Sequence, residues 1–230
     1  MPIARIASLA FLPEGPAVAR DPASGSAALR AQLEDGKRST FLVATPDQPA
    51  SWAAKEGWSF GPPVLFVRRL DEETVAQAAQ AMAAEMGGYW LRYYNFPGAG
   101  LPQARAARSR RPTGLEIVST TVTEAYPPRS LDGCAVAQAA VADGREFSLL
   151  CATPAWFARS FEQLRLDYFF GPSVLFVSRL KPKLARQAVS ALAAEGDRWL
   201  CRYDTPRRTL PELLADFAAR HARPEGTNRA

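Results

Sequence analysis

Apolar residues recur along this chain in two periods, and the pattern they make occurs twice. Gly171-Pro172-Ser173-Val174-Leu175-Phe176-Val177-Ser178-Arg179-Leu180 is a breaker, a continuous apolar run and a basic end. Gly61-Pro62-Pro63-Val64-Leu65-Phe66-Val67-Arg68-Arg69-Leu70 repeats it at eight of ten positions. A run this short, rich in Val and Phe, predicts a strand buried on both faces and central to a sheet. Ahead of it, Ile6 to Leu12 and Ile117 to Val122 predict first strands. Ala27 to Glu34 and Lys37 to Ala44, joined at Asp35-Gly36, read as a hairpin. Ala135 to Ala142 and Arg145 to Ala152, joined at Asp143-Gly144, repeat it. Asp-Gly between such runs predicts a type I′ turn, which needs two positive φ values. Phe147, Leu149 and Cys151 mark one face of the return strand by the period of two.

Both return strands end in Ala-Thr-Pro, a capping hydroxyl followed by a residue suited to a first helical turn. Phe157, Phe161 and Leu164 then predict a helix from Thr153 to about Leu166, while Ala50 to Lys55 offers a shorter one. A second helix follows each central strand. Val75, Ala78, Ala79, Met82 and Met86 give one apolar stripe, and Ala185, Ala188, Val189, Leu192 and Ala193 the other. Tyr89 to Tyr94 and Arg198 to Tyr203 read as extended segments, with Trp90 and Trp199 in the core. Pro211 to His221 predicts a last helix through Leu213, Leu214 and Phe217.

The expected fold class is α+β: two tandem copies of a unit of about 100 residues, each a mainly antiparallel sheet with helices packed on one face. The expected boundaries are 1–102, an Arg/Pro-containing linker 103–114, 115–221, and a tail 222–230. A buried strand between helices also permits one parallel pairing. Two such copies can imitate a homodimer inside one chain, so a monomer with a pseudo-twofold axis is expected. The shared apolar positions predict two equivalent cores. Unlike charges, such as Asp71-Glu72-Glu73 against Lys181-Pro182-Lys183, predict one asymmetric surface.

Composition changes this picture little. A chain of 230 residues with 47% hydrophobic and 22% charged residues can bury a core. No apolar run approaches the roughly 20 residues of a membrane span. Ile6 to Leu12 imitates a signal peptide weakly, but its counterpart at Ile117 cannot be one, so a cytoplasmic location is expected. The net charge of +5 hints at an acidic partner. However, Arg105, Arg108, Arg110, Arg111, Arg207, Arg208, Arg220, Arg223 and Arg229 lie in or near the linker and the C-terminal end. Setting those nine aside leaves 19 basic residues against 23 acidic ones. Cys134, Cys151 and Cys201 show no paired spacing, which predicts buried small hydrophobes rather than disulfides or a zinc site.

No residue set dictates a chemistry. The one His, His221, ends the last predicted helix, and a helix C-terminus explains it. Phosphate-loop, dinucleotide and zinc-protease motifs are missing. The expectation is therefore no enzyme, no cofactor and no metal, although carboxylate-only catalysis in a deep pocket remains a third possibility. Arg92, Tyr93, Arg202, Arg207 and Arg208 form the candidate polar-aromatic patch for a partner. The same arginines, with those of the linker, support the alternative of a nucleic-acid-binding accessory protein.

Arg145-Glu146-Phe147-Ser148-Leu149-Leu150-Cys151-Ala152-Thr153-Pro154-Ala155-Trp156, the Gly171 strand and the helix after it resemble a family of bacterial immunity proteins from polymorphic toxin systems. Those proteins carry a Phe-rich strand ending in Cys-Thr-Pro-x-Trp, a helix, a Gly-led apolar strand and an Ala/Leu helix. The resemblance covers Asp143 to Trp199 well and Asp35 to Trp90 more loosely. Here Ala152 is inserted before Thr153-Pro154. The acidic, aromatic ending of the family is replaced by Tyr203-Asp204-Thr205-Pro206-Arg207-Arg208, and the unit occurs twice. The resemblance implies a cytosolic protein that binds and neutralises a cognate toxin without any reaction of its own.

Overall fold

The hairpins expected from the alternating runs form as β2 (Ser26–Leu33) with β3 (Arg38–Ala44) and β7 (Cys134–Val141) with β8 (Glu146–Ala152). The computed structural model describes residues 4–12, 23–95, 114–127, 130–205 and 209–221. The linker up to residue 113, the tail 222–230, and Arg207 and Arg208 lie outside them. Strands β1 (Ile6–Phe11) and β6 (Ile117–Tyr126) pair antiparallel on the outer side of each hairpin. The two apolar runs become β5 (Val64–Val67) and β10 (Val174–Val177), each parallel to its return strand. A parallel partner needs a crossover. Helices α1 (Gln48–Ala53) and α4 (Pro154–Gln163) lie in those crossovers.

Two short strands, unforeseen in the sequence, then join the halves. In the first half β4 (Trp58–Ser59) runs antiparallel to β10 of the second, and β9 (Tyr168–Phe169) runs antiparallel to β5 of the first. The sheets are therefore β1-β2-β3-β5-β9 and β6-β7-β8-β10-β4, each completed by the other half. Backbone bonds extend the exchange: Arg68 N–H reaches Asp167 C=O at 2.9 Å, and Ser178 N–H reaches Gly57 C=O at 2.6 Å.

After each central strand come α2 (Glu72–Ala84) and α5 (Pro182–Ala194), with the expected stripes buried except for Met86, which lies past the end of α2 in left-handed backbone and is exposed. Ala188, Val189, Leu192 and Ala193 of α5 meet Ala137, Ala139, Leu149, Cys151, Leu175 and Val177 from one face of the second sheet. By the alternation of a strand, Val136, Leu150, Val174 and Phe176 point to the other face. There α4 and α7 (Leu210–His221) add a layer through Phe157, Phe161, Leu213 and Leu214. This second layer extends the one-face arrangement, because both helices carry large apolar residues that need covering. The two equivalent cores do not form. Phe66 and Phe176 meet at 6.1 Å between ring centroids, and one apolar cluster runs through both halves.

Local chemistry corrects three further expectations. Tyr89 to Tyr94 and the stretch matching it are not extended but helical, as α3 (Tyr89–Tyr94) and α6 (Asp197–Tyr203). The Asp-Gly turns are not type I′, since only Gly36 (φ 81°) and Gly144 (φ 88°) are left-handed and their Asp neighbours are not. Gly36 N–H closes on Leu33 C=O at 2.9 Å, as in a three-residue hairpin loop with a glycine bulge. Thr153 caps α4 by accepting from Trp156 N–H, but Thr45 caps nothing. Its hydroxyl accepts from Gly25 N–H at 2.8 Å, and Asp47 precedes α1.

The acidic start of α2 behaves as read. Asp71 accepts from Thr74 N–H at 2.8 Å, and that bond holds its carboxyl below the usual range. Asp71→Ala is expected to lower stability by about 1 kcal/mol in urea unfolding at neutral pH. A lowered folded pKa contributes stability above the unfolded value of about 3.9 and loses it as pH falls through the folded one. The gap between variant and wild type should therefore close in strong acid.

Candidate interaction surface

The seam between the halves is built by tyrosines from the short helices. Tyr94 donates its hydroxyl to Gly171 C=O at 3.0 Å and accepts from Gly171 N–H at 2.8 Å. Tyr203 does the same with Gly61, at 2.8 and 2.7 Å. Both glycines open the Gly-Pro segments, so each breaker is gripped by the opposite half. Burial raises both phenols well above their ordinary pKa. Rings follow the same crossing: Trp58 stacks on Phe60, which meets Trp199 and Tyr203, while Tyr168 stacks on Phe170, which meets Trp90. A cavity of about 30 Å³, lined by Gly61, Pro172, Tyr94 and Tyr203 among others, lies along the seam.

Two members of the candidate patch belong to this seam. Tyr93 donates its hydroxyl to Arg202 C=O, and the Arg202 guanidinium donates to Tyr93 C=O at 3.0 Å. Burial raises the Tyr93 phenol. The structure thus brings Tyr93 and Arg202 together, chiefly to join α3 to α6. Arg92 points elsewhere and is exposed. Arg207 and Arg208 lie outside the described residues.

Arg92 lines a groove of about 520 Å³ between the first hairpin turn and α3. Arg5, Lys37 and Arg38 contribute cations to it, Glu34 and Asp35 carboxylates, and Asn95 an amide. Lys37 reaches Asp35 at 2.6 Å, and its hydrogen bond keeps the Asp35 carboxyl below the usual range. Among the described residues, no carboxylate lies within ion-pair distance of Arg5, Arg38 or Arg92. The chain beside the groove holds three successive left-handed residues, Met86 (φ 50°), Gly87 and Gly88. That excursion leaves Met86 62% exposed, and Tyr89 just beyond it is 43% exposed.

The matching corner of the second half is bridged instead. Arg145 binds Asp143 at 2.8 Å and Asp197, in the first turn of α6, at 2.6 Å. Both carboxyls are held low by hydrogen bonds from that guanidinium. When α3 and α6 are aligned on Trp90 and Trp199, Asp197 falls on Gly88, so Lys37 has no such partner across the groove. Arg5, Lys37 and Arg38 were not among the candidates read from the sequence. For Lys37 and Arg38 the signal was this residue-by-residue comparison of the two halves, which sets them against Arg145 and Glu146.

Other groups offer less. Cys134 and Cys151 are buried, and burial pushes both thiols up to about 12. Cys201 corrects the expectation of three buried cysteines: it is exposed, and its thiol donates to Asp197 at 3.3 Å. Asp132, which binds Arg159 and Thr153, lines an open groove of about 560 Å³ with Leu131 and Arg179. Among the described residues, no three His, Cys, Asp or Glu side chains gather as a metal site, and no helix is long and apolar enough to cross a membrane. No protein-family model matches the chain, and no curated protein or solved structure matches it.

Proposed function

We propose that this chain is a non-enzymatic binding protein, acting in the cytosol as an immunity protein that occludes a cognate toxin. The observation carrying this reading is the first-half groove, open and lined by arginines with no ion-pair partner among the described residues, beside the exposed Met86 and Tyr89. Tyr, Met and Arg are the residue types enriched where proteins bury surface against one another. Mutually complementary charge speeds the encounter of such pairs. The resemblance of Asp143 to Trp199 to the immunity family supports the same role. A monomer suits it, since the chain already makes between its halves the contacts that a homodimer makes between subunits.

Co-expression tests the proposal. Bacteria producing a toxin encoded beside this gene are expected to grow when the chain is made with it, and the two proteins to copurify as a complex. Persistent growth arrest with every neighbouring toxin, at confirmed levels of soluble chain, would sink the reading.

A further inference from the structure

The two halves have opposite charge at one corner, and the difference is concentrated in matched residues. Around the first-half groove stand Asp35, Lys37, Arg38, Gly88, Arg92 and Asn95. Their counterparts, with the turns aligned on Gly36 and Gly144 and the helices on their tryptophans, are Asp143, Arg145, Glu146, Asp197, Cys201 and Asp204. Three cations face one carboxylate in the first set, whereas one cation faces four carboxylates in the second.

The backbone around both corners is alike. Thr40 N–H donates to Asn95 Oδ1 at 2.9 Å, as Ser148 N–H does to Asp204 Oδ1 at 3.0 Å. With its oxygen so engaged, Asn95 offers only N–H donors elsewhere, where Asp204 keeps a second anionic oxygen. The same framework thus carries an excess of carboxylates in the second half, two of them bridged by Arg145, and an excess of cations in the first.

We propose that the first-half groove takes an acidic, extended segment of the protein partner, whose carboxylates pair with Arg38 and Arg92. This rests on the binding role argued above and names the chemistry of the partner. A guanidinium matches a carboxylate in a planar, two-point fork, which fixes orientation as well as charge. About 520 Å³ is the size of an ordinary ligand cleft and admits a few residues of chain. Glu34 and Asp35 within the lining favour a segment of mixed character over the unbroken charge of a nucleic-acid backbone.

Fluorescence anisotropy with the full chain and a labelled peptide of alternating glutamate and serine, at about 50 mM salt, provides the test. The peptide is expected to bind, and the double variant Arg38→Ala/Arg92→Ala to lose about tenfold in affinity. Arg30→Ala/Arg186→Ala removes as much charge from exposed positions outside the groove and should leave binding unchanged. Absence of peptide binding, or equal losses in both double variants, overturns the proposal. So does a single-stranded oligonucleotide that binds the wild type more tightly than the peptide and is weakened by the groove variant, since phosphate would then be the ligand. In cells, loss of protection by the groove variant supports the proposal. Full protection by that variant overturns it and leaves the immunity role standing. Failure of the wild type to protect overturns the immunity role, and the peptide titration alone then decides the groove.

Discussion

Phe157→Ala is expected to cost about 3–5 kcal/mol and to leave little folded protein at physiological temperature. Phe157 is fully buried on α4, and its ring meets Phe66 at 4.7 Å, Phe176 at 5.4 Å, Phe169 at 5.7 Å and Phe161 at 6.2 Å. Those neighbours come from both halves and from three strands, so removing the ring opens a void that no single element can close. The position is also where the halves differ. Aligned on their Ala-Thr-Pro segments, Phe157 matches Pro49, and Phe161 matches Ala53. The second half therefore supplies two helix-borne rings, without aromatic counterparts in the first, to a core used by both. Thermal unfolding followed by circular dichroism should show Phe157→Ala far below the wild type in midpoint. Phe157→Leu, which keeps most of the volume, should fall in between. A midpoint within a few degrees of wild type for the alanine variant would remove the shared core from the account.

Tyr94→Phe and Tyr203→Phe test the seam without changing its shape. Each substitution strips the partner from one glycine N–H and one C=O, and an orphaned buried group costs about 1–3 kcal/mol. Gly171 is buried and Gly61 only half-buried, so Tyr94→Phe should be the more damaging. The same residues set an alkaline limit. A phenol held neutral in the fold, with its pKa raised, contributes stability that is complete below the unfolded value of about 10. That contribution declines as pH rises above about 10, because the unfolded chain ionises first. Wild-type stability in denaturant titrations should therefore drop steeply above about pH 10, and more gently in the double phenylalanine variant. Equal slopes would mean that the two hydroxyls are not bonded as described.

What the sequence made legible were the features set by local period. The Gly-Pro-led strands, the hairpins and the stripes of α2 and α5 all repeat often enough to be read. The short helices were not, because six residues such as Tyr89 to Tyr94 hold under two turns, and Tyr89, Leu91 and Tyr93 alternate as a strand would. Tertiary bonds from Tyr94 and Tyr203 hold those segments, and no local signal carries them. Strands of two residues, β4 and β9, have no period at all, and their partners lie in the opposite half. Asp-Gly suits more than one turn, and the loop around it decided which. The groove was written in the chain as differences between the two halves, in isolated residues such as Arg38 against Glu146 and Gly88 against Asp197 that carry no period.

The crossing of β4 and β9 also gives the chain a history each time it is made. When β10 leaves the ribosome, β4 has long been available to pair with it. Strand β5 has the opposite fate: its outer edge has no partner until Tyr168 and Phe169 are synthesised. At ordinary elongation rates that wait lasts about 5–20 s. During it the nascent first sheet ends in an unsatisfied row of backbone groups, the kind that captures strands from other chains. The row is only four residues long, flanked by Pro62 and Pro63 on one side and Arg68 and Arg69 on the other. Proline and charge are what blunt a sheet edge. The residues bounding β5 thus guard it in the one interval when it stands open.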